Sequence, residues 1–445
     1  MAVLTKPRAQ VMSAADAAWL HMEDSTNLMM ITGLFFFRGK PDRERLLKTL
    51  EERFLCFDRF RMKVIGGTLG VGRPRWVPDP AFALTNHVTF GTLEGIEERQ
   101  EGPVLQLVSE LMSQPLDRSR PLWHFHVVEG FGDGAALICR LHPAIADGIA
   151  LTKVLLSLTD PEPEGGEHAL VETPRRTAAL VNEKSSLKVR PRKLIDLARV
   201  YSEAATELGK VLLEAEPTNP FRGPLGIKKE AACTRPFDLD RVKAARQRAG
   251  CTVNDILMAA VAGGLRRRLH ALESKVANGM SLRGVIPVDL RKPGRDQPLG
   301  NRFGLVFLGL PVGLECQHKR LSEVRARMDM LKNSPQAVVV LGLLKAAGSV
   351  PSEMLQMVVE LFASRATLVV SNVPGPREKL YMAGQAVESL MFWVPQSGRL
   401  GLGISILSYG GSLRIGVASD SGLPTHADAL ARDIEASLEE HLEGL

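Results

Sequence analysis

The sequence predicts a mixed α/β fold of the α+β kind, built as two similar lobes. Strand-like and helix-like patterns alternate in both halves, with hairpins among them. The chain has 445 residues, more than one ordinary core organises. A Pro/Gly stretch, Asp160-Pro161-Glu162-Pro163-Glu164-Gly165-Gly166, breaks the pattern and reads as a linker. The expected division is a first lobe over residues 1–160, a basic crossover with one helix over 161–232, and a second lobe over 233–445.

Each element has a local reason. Residues 13–23 form a helix that Ser13 can cap, with Ala14, Ala17, Ala18 and Trp19 favouring or packing it. Residues 29–37 read as a buried strand, and 42–54 as an amphipathic helix with Leu46, Leu47, Leu50 and Phe54 inward. Short strands fall within 76–90, and a helix over 104–112 ends before Pro115. Residues 122–128 and 135–141 form a hairpin across Gly130-Phe131-Gly132-Asp133-Gly134. Its first strand sets Trp123, Phe125 and Val127 on one face against His124, His126 and Val128 on the other. A helix candidate at 194–213 lies in the crossover. In the second half, helices over 240–248, from 252 onward and over 428–442 accompany strands at 282–288, 303–310, 367–371, 400–408 and 413–417.

Composition narrows the class. At 45% hydrophobic and 24% charged, the chain is globular, not disordered. Five cysteines, Cys56, Cys139, Cys233, Cys251 and Cys316, are scattered without a C-x-x-C pair. No metal site or disulfide framework is expected, and a reducing cytoplasm fits. The start of the chain has no apolar h-region, so no signal peptide is expected. The longest apolar run, 337–344, is far short of the roughly 20 residues that span a bilayer. Membrane contact would therefore be peripheral. The net charge of +6 permits an anionic membrane or a phosphate-bearing ligand without requiring either.

The candidate site is Arg140-Leu141-His142-Pro143-Ala144-Ile145-Ala146-Asp147-Gly148. A histidine closes a strand and an aspartate opens a helix whose apolar positions are Ile149, Leu151, Val154, Leu155 and Leu158. The plain reading is an N-cap aspartate and an ordinary hydrogen-bonded histidine. The catalytic reading makes the histidine a base.

Motifs along the whole chain bear on that choice. They are Met12-Ser13-Ala14-Ala15-Asp16, Pro115-Leu116-Asp117-Arg118-Ser119-Arg120-Pro121-Leu122-Trp123, Thr252-Val253-Asn254-Asp255, Pro287-Val288-Asp289-Leu290-Arg291, Leu299-Gly300-Asn301, Ser371-Asn372-Val373-Pro374-Gly375-Pro376 and Ser408-Tyr409-Gly410-Gly411. In this order they resemble bacterial wax ester synthase/diacylglycerol acyltransferases, within the chloramphenicol-acetyltransferase-like superfamily of CoA-dependent acyltransferases. The resemblance implies two chloramphenicol-acetyltransferase-like lobes with mixed sheets and a tunnel between them. It implies acyl-CoA as co-substrate, no permanently bound cofactor, and a long-chain alcohol or diacylglycerol as acceptor.

The family's pattern is H-H-x-x-x-D-G, whose second histidine takes the proton of the attacking hydroxyl. Here the first position is His142 and the second is Pro143, which has neither a base nor a backbone N–H. Three readings stand: acyl transfer is lost, Pro143 turns His142 inward, or another group such as His87 or His126 serves. The resemblance makes His142, Asp147 and Gly148 the catalytic set, with Gly148 letting the chain turn, and Pro143 and Arg291 structural support, Arg291 as the partner that holds Asp147. Asn254, Asp255, Asn301 and Asn372 are the substrate-binding candidates, Asn254 and Asp255 equally readable as a helix cap. The leading expectation is wax ester or triacylglycerol synthesis. The alternative is an impaired homologue that binds acyl-CoA or lipid as an accessory protein. The expected place is the cytoplasm, peripherally at the inner membrane or lipid inclusions, with no nucleic-acid partner.

Overall fold

The computed structural model describes residues 8–66, 73–93, 100–165, 209, 214–289, 301, 303–332, 363–396 and 400–444. The expectations for Arg291, for Leu299-Gly300, for the helix at 194–213 and for the apolar run 337–344 lie outside them.

The first lobe opens with β1 (Gln10–Val11) and α1 (Ala14–His21). Ser13 caps α1, its hydroxyl accepting from the Asp16 amide at 3.1 Å. Strand β2 (Ile31–Phe37) is buried along its whole length. Helix α2 (Arg43–Thr49) widens into a π turn, Leu50–Phe54, so the single helix expected over 42–54 changes its winding at Leu50. A 3-10 turn (Asp58–Arg61) leads to β3 (Met62–Ile65), β4 (Arg75–Pro78) and β5 (Val88–Thr92). Then come α3 (Glu101–Met112), the hairpin β6 (Trp123–Phe131) and β7 (Gly134–Leu141), and α4 (Gly148–Leu156).

The second half runs β8 (Lys229–Cys233), β9 (Phe237–Asp238), α5 (Leu239–Ala249), α6 (Val253–Ala271), β10 (Leu282–Asp289), β11 (Phe303–Leu310) and α7 (Gln317–Lys332). It ends with β12 (Leu368–Pro374), β13 (Tyr381–Met382), β14 (Gln385–Trp393), β15 (Leu402–Tyr409), β16 (Ser412–Asp420) and α8 (Ala427–Gly444). The mixed α/β expectation holds, and the protein is two-lobed around two large mixed sheets. One is ordered β13-β14-β2-β7-β6-β5 and the other β11-β10-β12-β15-β16-β8, with β9 pairing β16. Strand β14 comes from the second half, yet lies antiparallel to β2 in the first sheet. The two lobes are therefore stitched together through the backbone ladder.

The alternation read from β6 decides where the site lies. Trp123, Phe125 and Val127 enter one core with Phe54 and Phe60. Phe54 stacks on Phe60 at 3.8 Å between ring centroids and meets Trp123 edge-on at 4.7 Å, and the Trp123 indole donates to the Phe60 carbonyl at 2.9 Å. The opposite face carries Val128, Ala136 and Ile138 against Val104 and Val108 of α3, with Ala231 and Ala418 of the second large sheet in the same cluster. The sheet is thus covered on both faces, and its strand ends deliver the site.

The second core centres on α6, buried from Asp255 through Leu265 and crossed by α8 through Leu430, Ile434 and Leu438. The crossing is close because Gly264 has no side chain. A Cβ there would fall 2.5 Å from Ile434 Cγ1 and 2.7 Å from its Cα. Gly264→Ala should therefore cost about 1–3 kcal/mol by overpacking, despite alanine's better helix propensity. Urea unfolding checks this, and an unchanged or raised midpoint would show that the crossing can relax.

Candidate active site

Strand β7 ends at Leu141, and the chain turns through residues 142–147 before α4 begins. The His142 amide donates to the Leu122 carbonyl at 3.0 Å, and the Ile145 amide donates to the His142 carbonyl at 3.0 Å. The imidazole is only 1% exposed. Its Nδ1 accepts from the Ala144 amide at 3.0 Å, which leaves the ring N–H on Nε2. That nitrogen lies 3.3 Å from Glu23 Oε2, an ion-pair distance without full hydrogen-bond alignment. The same oxygen accepts from Arg118 Nη2 at 2.6 Å. Burial alone would raise the Glu23 carboxyl, but the His142 contact and the charges of His142 and Arg118 outweigh it and hold it below the usual range. Both ring nitrogens of His142 are thus turned to protein groups. The His142 ring lies inward, with Nε2 towards Glu23.

The rest of the turn is clamped by its carbonyls. Asn301 Nδ2 donates to the Pro143 carbonyl at 2.9 Å and to Asp16 Oδ1 at 2.8 Å. Arg59 donates to the Ile145 carbonyl, and its Nη2 lies 3.0 Å from Asp16 Oδ2. Asp16 is fully buried. One carboxylate on α1 therefore holds two donors, one from each half of the chain, and each donor grips a motif carbonyl. Sequence reasoning quoted Asp16 and Asn301 but missed Arg59 and Glu23, which lie in unremarkable charged surroundings until the chain folds.

Asp147 is the N-cap of α4, accepting from the Ala150 amide at 3.0 Å, which matches the plain reading. The turn at Gly148 does not use a left-handed φ, and among the described residues an added Cβ would meet only Ile31 Cδ1, at 3.7 Å. Thr252 and Asp255 form a reciprocal capping box at the start of α6. Asp255 is 1% exposed, and its Oδ2 accepts from the Thr252 amide at 2.8 Å. Asn254 Oδ1 accepts from Asn372 Nδ2 at 3.0 Å at an exposed position. His87 is clasped between Phe82 and Trp123, at 5.3 and 4.5 Å between rings, with Nδ1 2.8 Å from the Trp123 carbonyl. His126 Nδ1 lies 2.8 Å from Thr89 Oγ1.

Burial lowers several histidines together: His21 and His87 fall below the ordinary value, His124 and His441 are pushed down to about 4, and His126 to about 3. These rings stay neutral in the native state while the unfolded chain takes up protons below about pH 6.5. Their contribution is complete above the unfolded value and is lost as pH falls from there towards the folded values. Tm should fall between about pH 7 and pH 5, as differential scanning fluorimetry can check. A flat or rising Tm over that window would contradict the buried-neutral assignment.

With this geometry in place, comparison with known proteins decides the family. Residues 12–257 match the wax ester synthase/diacylglycerol acyltransferase catalytic domain, and residues 299–441 match the WS/DGAT C-terminal domain. The chain belongs to this family. A relative named "Probable diacyglycerol O-acyltransferase tgs1", from Mycobacterium tuberculosis, is 28% identical over 441 residues, covering 95% of this chain and 94% of its own. Among solved structures, the wax ester synthase/diacylglycerol acyltransferase from Marinobacter aquaeolei VT8 matches with a TM-score of 0.69 at 21% identity, over 98% of this chain and 100% of that one. The starter condensation domain of rhizomide synthetase, solved with C8-CoA and Leu-SNAC, matches with a TM-score of 0.60 at 15% identity, over 98% and 93%. These two likenesses fix the fold. Within this family the chain has His142-Pro143 where the pattern is His-His.

Proposed function

We propose that this protein transfers an acyl group from acyl-CoA to the hydroxyl of a long-chain alcohol or diacylglycerol, forming wax ester or triacylglycerol. The observation that carries the reading is the catalytic-domain match over 12–257, which spans a motif turn whose Pro143 and Ile145 carbonyls are held by Asn301 and Arg59. The acceptor oxygen attacks the thioester carbonyl, a C–O bond forms and the C–S bond breaks. In the His-His pattern the second histidine takes the hydroxyl proton. Here Pro143 supplies no base and His142 faces Glu23, so the proton passes to the departing CoA thiolate without a side chain's help. Transfer is correspondingly slow, since a positioned base contributes about 10²–10⁴-fold.

The exposed amide pair of Asn254 and Asn372 is the substrate-facing candidate; Asn301 acts through the Pro143 carbonyl. Among the described residues no helix is long and apolar enough to cross a membrane. The acceptors dissolve in lipid, which supports peripheral work at the inner membrane or at lipid inclusions.

A second reading is favoured by the enclosure of His142: a protein that binds acyl-CoA or lipid without turning it over. Incubation of the purified protein with radiolabelled palmitoyl-CoA and either hexadecanol or dioleoylglycerol, followed by separation of the lipids, distinguishes them. Labelled ester above the protein-free rate supports transfer. Calorimetric binding of palmitoyl-CoA with no ester from either acceptor supports the accessory reading.

A further inference from the structure

We propose that Arg140 and Thr32 form a binding site for an oxyanion, a phosphate or carboxylate group of a ligand. Arg140 is 5% exposed. Its Nη2 donates to the Gln114 carbonyl and touches Met30 Sδ at 3.5 Å, while its Nε–H has no partner. Among the described residues no carboxylate lies within ion-pair distance of it. A buried guanidinium without a counter-ion is costly, because desolvation penalises the charge and nothing nearby repays it. The strain is visible as a pKa lowered by burial to about 10.

The neighbours of Arg140 share the shortage. In the sheet register Thr32 lies opposite Arg140 on one side and His124 on the other. The three therefore form one cross-strand row on a single face. His126, two residues along β6, is on the same face. The Thr32 hydroxyl is fully buried without a partner, and His126 Nε2 is likewise unpaired. His126 Nδ1 and His124 Nε2 both approach Thr89 Oγ1, at 2.8 and 3.4 Å, so the two rings are braced with 4.4 Å between centroids. A hydroxyl and a guanidinium N–H thus stand side by side across the β2–β7 ladder, with a positive charge and, among the described residues, no carboxylate in ion-pair range. An oxyanion is the ligand that answers both. His124, at the β5 side of the row, is only half-buried. Arg140 is two residues before His142, so the bound group would lie at the motif end of the sheet. The inference does not rest on acyl transfer, because its readout is binding.

The test is thermal shift and calorimetry of the full chain with inorganic phosphate, CoA and palmitate separately, for the natural protein, Arg140→Gln and Thr32→Val. The expected result is binding of at least one probe, weakened at least about tenfold by each substitution, a loss of about 1.4 kcal/mol. A response to phosphate and CoA assigns a phosphate group; a response to palmitate alone assigns a carboxylate. Thr32→Val keeps the side-chain shape, so it decides the matter if Arg140→Gln does not fold. Binding unchanged by Thr32→Val, or no binding of any probe at about millimolar concentration, overturns the proposal and leaves Arg140 as an anchor for the Gln114 carbonyl.

Discussion

Pro143→His should raise kcat for ester formation by at least about tenfold and by up to about 10⁴-fold, the span that a positioned general base supplies. The backbone around it is already prepared. Asn301 holds the carbonyl of residue 143, not its side chain, and His142 is fixed by the Ala144 amide and Glu23. A histidine at 143 would leave these contacts in place and restore the family's pair. KM should change little, because the gain arises in the transition state. His142→Ala in the natural background should lower Tm more than it lowers the residual rate, since the ring is engaged with protein on both nitrogens. If His142→Ala abolishes a natural activity while the fold is intact, His142 is the base after all and its observed enclosure opens during turnover.

Asp16→Ala should be the most destabilising single change near the site, by about 3–5 kcal/mol, because it strands the Arg59 charge in a largely buried position. Asn301→Ala should cost less, about 1–3 kcal/mol, for unpaired buried acceptors. The two residues share a hydrogen bond, so the double variant should lose less than the sum. Urea denaturation of the four proteins measures this. Additive losses would mean that the carboxylate and the amide act separately and that no single clamp holds the motif turn. Both variants should also lower kcat in the Pro143→His background, since a new base on a loosened turn no longer holds its geometry.

The sequence made much of this legible where one local rule decided the outcome. The β6 alternation put Trp123 and Phe125 in the core and His124 and His126 on the other face. Ser13 and Asp147 cap helices as their residue types suggest. Other features depended on distant partners. Strand β14 escaped notice because a bulge between Val387 and Ser389 breaks its alternation and because its partner β2 is more than 300 residues away in sequence. Helix α7 escaped notice because only Arg320, Leu321 and Val324 are buried along its 16 residues, too few to draw an apolar stripe. The departure at Pro143 was plain in the sequence. Its consequence for His142 was not, because Glu23 and Arg118 come from other segments.

The most direct measurement of how the motif works is the pH–rate profile of ester formation by the natural protein and by Pro143→His, from about pH 5.5 to 8.5 with acyl-CoA saturating. A general-base histidine gives a rate that rises with its own deprotonation and then levels off. The expected result is no such plateau in the natural protein, and a plateau above about pH 6–7 at a much higher rate in Pro143→His. A natural protein that already shows the histidine plateau, at a rate Pro143→His does not exceed, would contradict the claim that the motif here has no base.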